Sequence, residues 1–156
     1  IRTHGGIRRH YHDLVGMNGR FDTLQAAIML GKWPGFADEV VARGKLGARY
    51  TEKLHDVCKT PEIREGNTHV YAQYTLRVPD RDTLGEKLKA KGVPTAVYYP
   101  KCLHEQPVFS HLGYNYGDFP AAEAASREVI SLPLNPYLTE AEQDFVINGV
   151  RESLHR

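Results

Sequence analysis

The chain has 156 residues, 41% of them apolar and 25% charged, and its formal net charge is +1 at pH 7. That length supports a globular domain with a real core, and the balanced charge argues against any broad attraction to nucleic acid or anionic membrane. No apolar run approaches the ~20 residues of a membrane span. Cys58 and Cys102 stand alone, outside any Cys-x-x-Cys or disulfide framework, as suits a reducing cytoplasm.

The opening residues, Ile1-Arg2-Thr3-His4-Gly5-Gly6, carry neither an initiator Met nor a signal-peptide pattern. They read as the interior of a longer sequence. Residues 1–20 are rich in Arg, His and Gly, with Tyr11 and His12 placed for a short strand. On a strand, His10 and His12 share a face, but no third metal ligand follows at a suitable spacing. Arg2, Arg8, Arg9 and Arg20 form no nucleic-acid recognition motif.

Next comes Gly16-Met17-Asn18-Gly19-Arg20-Phe21-Asp22-Thr23-Leu24-Gln25-Ala26-Ala27. Asp22 occupies an N-cap position and Gln25 follows at capping-box spacing. Asn18 and Arg20 then sit at the positive end of a helix, where phosphate or carboxylate is favoured. An ordinary surface turn entering a helix accounts for the same residues.

The helix from Thr23 carries Leu24, Ala27, Ile28 and Leu30. Pro34 should interrupt it and push Trp33 out of the helical region. A second helix is predicted as far as Leu54, with Phe36, Val40, Gly47, Tyr50 and Leu54 on one stripe. Residues 55–69 are polar and read as loop. Alternation over Tyr71–Val78 predicts a strand with Ala72, Tyr74, Leu76 and Val78 on its buried face. Asp80 then caps a helix ending at Gly92, and 93–99 returns as a strand, giving a β-α-β unit. Pro120 opens an alanine-rich helix, 130–133 is a short strand, and Thr139 with Glu142 caps a last helix whose apolar face is Phe145, Val146, Val150 and Leu154. The prediction is an α+β fold: a small sheet of three strands with helices on one side, preceded by an N-terminal loop and a long helical arm. The expected divisions are 1–22 (loop or hairpin), 23–57 (connecting helices) and 58–156 (α+β domain).

Several of these motifs recur in a fixed order. Tyr11-x4-Gly16 leads into the Asn18, Arg20 and Asp22-Thr23-Leu24-Gln25 run. Tyr98-Tyr99-Pro100-x2-Leu103-His104-x-Gln106-Pro107-x-Phe109 follows, then Phe119-Pro120-x2-Glu123, Ser131-Leu132-Pro133 and Pro136-Tyr137-Leu138-Thr139. This order resembles the DegT/StrS-type sugar aminotransferases across essentially the whole chain. Some details are nearest to enzymes acting on UDP-3-keto-hexuronates.

The resemblance implies the C-terminal small domain of a fold-type I, aspartate-aminotransferase-like transferase. Residues 1–22 would belong to the large cofactor domain. It implies pyridoxal 5'-phosphate as cofactor and a cytoplasmic homodimer with shared active sites. The reaction would move an amino group, usually from glutamate, onto a nucleotide-linked keto sugar in polysaccharide or lipopolysaccharide biosynthesis. By the same resemblance Asn18 bonds the neighbour's cofactor phosphate and Arg20 reaches the sugar end of the substrate. Tyr98 and Tyr99 line the nucleotide-sugar pocket and His104 stands near it. Side-chain chemistry is compatible: an amide donor suits phosphate, a guanidinium fork suits carboxylate or diphosphate, and tyrosines stack on bases.

Departures include Cys102 where a second proline is usual, Tyr98 where some relatives carry His, and Gly19 where an aromatic residue is common. No lysine here, Lys101 included, follows a serine in the family's Ser-x-x-Lys setting. The Schiff-base lysine is therefore expected upstream of this chain, which contributes no catalytic residue and alone is expected to be inactive. A non-catalytic nucleotide-sugar binding or regulatory module of the same fold is the competing reading.

Overall fold

The structure, a computed structural model, describes residues 4–6 and 11–155. The chain divides into two compact units, Ile1–Asp38 and Glu39–Arg156. The division falls inside a helix.

In the first unit a closed loop precedes a helix. The backbone N–H of His4 donates to Met17 O at 3.0 Å, and those of Asp13 and Leu14 donate to Gly5 O at 3.2 and 3.3 Å. The first helix, α1, spans Thr23–Lys32 and buries none of its residues. Asp22 takes an extended N-cap conformation but its side chain makes no cap bond, so the Asp22–Gln25 capping box does not form. Trp33 stays helical (φ −55°, ψ −40°), and Pro34 lies in a 3-10 turn, Trp33–Gly35, that links α1 to the next helix. Proline needs no N–H in that first turn, and the Trp33 ring stacks on Phe36 at 5.5 Å between centroids.

The second unit contains the core. Helix α2, which starts in the first unit, spans Phe36–Leu54; of the predicted stripe, Gly47, Tyr50 and Leu54 are buried and Phe36 is exposed. Strand β1 is Tyr74–Arg77, α3 is Arg81–Ala90, α4 is Pro120–Glu128, β2 is Val129–Leu132 and α5 is Glu140–Leu154. Tyr74 and Leu76 face the core as the alternation required. Tyr71 departs from it: its positive φ of 44° turns the chain before the strand, and its ring is buried while Ala72 is exposed.

The sheet has two strands, β1 and β2, antiparallel with Tyr74 opposite Leu132 and Arg77 opposite Val129. The predicted third strand, 93–99, contracts to one bridge, Ala96 with Ser131, made by reciprocal bonds of 3.1 and 2.8 Å. Pro94 lacks a donor and Pro100 limits the far side, which leaves little room for a longer ladder. Because Ala96 and Thr75 both pair with Ser131, the β-α-β unit is split, with β2 between its two arms.

Capping follows the sequence in the second unit. Asp80 accepts from Thr83 N at the start of α3, and Gly92 ends it at φ +79°. Thr139 and Glu142 complete their reciprocal box on α5. That helix buries Val146, Ile147 and Val150, whereas Phe145 is exposed. The core is Tyr50, Leu54, Tyr74, Leu76, Leu84, Leu88, Ile130 and Val150, joined by Gln143, whose amide donates to Leu46 O and whose oxygen accepts from Arg49. Among the described residues no helix is long and apolar enough to cross a membrane.

Candidate functional site

Beyond the Ala96 bridge the chain leaves the sheet and builds a cavity from short turns. Tyr99 has φ +57°, a left-handed conformation that costs a non-glycine residue about 1–2 kcal/mol. It also precedes Pro100, which disfavours helical backbone. The turn Leu103–Glu105 is closed at its start by Glu105, whose carboxylate accepts from Cys102 N at 3.0 Å. A second 3-10 segment, Pro107–Leu112, stops at Gly113, where φ is +74°. Asp118 then folds the following loop by accepting from Asn115 N at 2.8 Å.

These segments and α4 line an open cavity of about 940 Å³, bordered by Tyr98, Tyr99, His104, Phe109, Tyr114 and Phe119 among others. This volume is in the range of small-molecule sites, and an aromatic lining with a few polar groups is their usual character. Tyr99 is 82% exposed at this cavity, whereas the His104 side chain is 8% exposed. The His104 ring packs on Phe119 at 4.8 Å, and Phe119 meets Tyr114 edge-on at 5.1 Å.

The polar anchor of the cavity is Glu123, 2% exposed in α4. Its carboxylate accepts from Gly117 N at 2.9 Å, Phe119 N at 3.2 Å and His104 Nε2 at 3.1 Å. Burial alone would raise its pKa. The two backbone N–H donors and His104 outweigh burial and hold it below the usual glutamate range.

The structure thus brings Tyr98, Tyr99 and His104 together. Asn18 and Arg20 form a separate pair in the first unit, where Arg20 Nε donates to Asn18 Oδ1 at 3.0 Å. With its oxygen engaged, Asn18 offers its amide N–H groups, the donors that the phosphate of pyridoxal phosphate requires. That one amide is chemically compatible with a phosphate acceptor. Sequence reasoning quoted Phe119 and Glu123 within the ordered motifs without a role for either, and gave none to Tyr114 in the tyrosine- and glycine-rich turn 113–118. The available signal was an acidic residue in the first turn of a proline-started helix behind that turn.

Other clusters carry less chemistry. Cys58 is a free thiol that burial pushes up to about 11, so it is a poor nucleophile at neutral pH. Among the described residues no group of three His, Cys, Asp or Glu side chains could hold a metal. His10, Arg2, Arg8 and Arg9 lie outside the described residues.

This fold is shared with part of a solved DegT/DnrJ/EryC1/StrS aminotransferase. The chain belongs to the DegT/DnrJ/EryC1/StrS aminotransferase family, whose model matches residues 1–151. It is 44% identical over 156 residues to the pleiotropic regulatory protein of Geobacillus stearothermophilus, covering 97% of this chain and 42% of that protein. It is 44% identical over 142 residues to the UDP-2-acetamido-2-deoxy-3-oxo-D-glucuronate aminotransferase of Pseudomonas aeruginosa, covering 90% of this chain and 39% of that protein. The solved DegT/DnrJ/EryC1/StrS aminotransferase of Brucella abortus superposes with a TM-score of 0.88 at 38% identity, over 98% of this chain and 41% of that one. The chain therefore spans about two fifths of the length of the relatives it matches.

Proposed function

We propose that this chain is the C-terminal portion of a pyridoxal-phosphate-dependent aminotransferase. The substrate is a nucleotide-linked 3-keto sugar of the hexuronate kind, and the amino donor is glutamate. The carrying observation is the meeting of Tyr98, Tyr99 and His104 in one aromatic cavity in a chain of this family. When bound, the cofactor supplies the capacity to accept and return an amino group.

This chain's residues bind and orient. Tyr98 and Tyr99 stack on the base or bond the ribose. His104 contributes a polar contact at the cavity wall. Asn18 donates to the cofactor phosphate. Arg20 offers a planar guanidinium to the sugar carboxylate or the diphosphate. We place Asn18 and Arg20 in the active site of a neighbouring subunit, in a cytoplasmic homodimer serving polysaccharide or lipopolysaccharide assembly. The divisions 1–22, 23–57 and 58–156 describe, in this reading, a contribution to the large domain, connecting helices and the small domain.

A regulatory, non-catalytic role is the second reading, favoured by the name of the Geobacillus stearothermophilus relative. The test is transamination by the protein that carries this chain, against a panel of nucleotide keto sugars with glutamate as donor. UDP-3-keto-hexuronate should be aminated, and Arg20→Ala should lower kcat/KM for it about tenfold or more, as loss of a charged hydrogen bond does. No turnover of any keto sugar, with retained nucleotide-sugar binding, would favour the regulatory reading.

A further inference from the structure

The cavity's walls come from three stretches: 98–112, which includes Tyr98, Tyr99 and the turn with His104; the loop 113–119; and α4 with Val129 after it. One carboxylate, carried by α4 itself, bonds the other two. Oε1 of Glu123 accepts from His104 Nε2, Gly117 N and Phe119 N, and Oε2 accepts again from Gly117 N at 3.0 Å. Phe119 is fixed twice, by its backbone on Glu123 and by its ring against His104. Gly117, at φ +100°, makes the reversal that brings its N–H back to a helix six residues later.

We propose that Glu123 is the positioning residue of this cavity, holding the His104 imidazole by its Nε2–H and clipping the loop 113–119 so that His104, Phe119 and Tyr114 form one fixed wall for the ligand. The role follows from acceptor chemistry. An ionised carboxylate has no proton to give, so each group facing it must donate. Nε2 of His104 is therefore the protonated nitrogen, and Nδ1 is the one left for other partners. A carboxylate serving the loop alone would not share an oxygen with a cavity-lining imidazole. A glutamine would present an N–H where Gly117 already donates. Preorganisation of this kind lowers the ordering cost of binding. The ligand part of the inference rests on the proposed nucleotide-sugar site.

The experiment is imidazole and amide NMR on the labelled protein that carries this chain, wild type and Glu123→Gln, with uridine diphosphate as probe. In wild type the His104 Nε2–H should give a solvent-protected signal. In Glu123→Gln its exchange should accelerate about tenfold or more, the Gly117 and Phe119 amide protons should move together, and the dissociation constant for uridine diphosphate should rise about tenfold. In a His104→Ala background, Glu123→Gln should weaken binding by a clearly smaller factor, because the two act through each other. A wild-type signal assigned to Nδ1–H overturns the proposal even if the variant fails to fold. So does a Glu123→Gln spectrum with His104 unchanged. If wild type shows the protected Nε2–H and its loss in the variant but binds no uridine diphosphate, the positioning stands and the nucleotide reading fails.

Discussion

The two compact units treat apolar residues in opposite ways. In Glu39–Arg156, Tyr50, Leu54, Tyr74, Leu76, Leu88 and Val150 are fully buried. In Ile1–Asp38, α1 buries nothing, and Leu24, Ile28, Leu30 and Trp33 are 56–74% exposed. Both helical patterns were equally readable from spacing. Periodicity reports that a helix has an apolar face; it does not report what covers that face. A ten-residue helix without burial sits at a length where helices are marginal in water. Within this chain burial is therefore concentrated in the second unit, and substitutions in the two units should separate cleanly.

The largest effect is expected at Gly47. A Cβ there would run into the ring of the buried Tyr71. Gly47→Ala should lower the unfolding free energy by about 3 kcal/mol, the upper part of the range for overpacking, as read by urea denaturation. A loss within about 0.5 kcal/mol, the range of a neutral surface change, would place Tyr71 elsewhere.

An intermediate effect should appear in acid. Arg151 makes two bonds to Asp56, at 2.7 and 2.8 Å, and holds that carboxyl down to about 2 from an ordinary 3.8. Because the folded value is depressed, the contribution is complete above 3.8 and is lost as pH falls toward about 2. The thermal midpoint should drop through that window, and Asp56→Asn should flatten the drop. An identical pH profile in the variant would remove Asp56 from the account.

The smallest effect belongs to the first unit. Leu24 is 74% exposed, so Leu24→Ala should change the main unfolding transition by no more than about 0.5 kcal/mol. A loss of about 2 kcal/mol would mean that α1 carries core packing.

Much of the second unit was legible because its signals are local. Thr139 with Glu142, Asp80 with Gly92, and the alternation at Tyr74 and Leu76 each act within a few residues. Asp22 and Gln25 had the same spacing but formed no box, since spacing does not set side-chain orientation. The third strand shrank to the Ala96 bridge because its flanking prolines limit the ladder, a cost weighed only when the neighbouring strand is known.

In the site, Tyr98, Tyr99 and His104 were named through the order of motifs, and the structure places them together. Glu123 was quoted but given no role. Its function depends on a loop folding back over α4, and no pattern along the chain encodes that return.

The most direct test of the central claim is where a nucleotide binds. Uridine diphosphate titrated into the labelled protein that carries this chain should shift the amides of Tyr98, Tyr99, His104, Phe119 and Glu123, and Tyr98→Ala should weaken that response about tenfold, as loss of one stacking aromatic does. The 600 Å³ pocket around His55, Cys58 and Tyr71 should be silent. Shifts confined to that second pocket, or none at the aromatic cavity, would contradict the account.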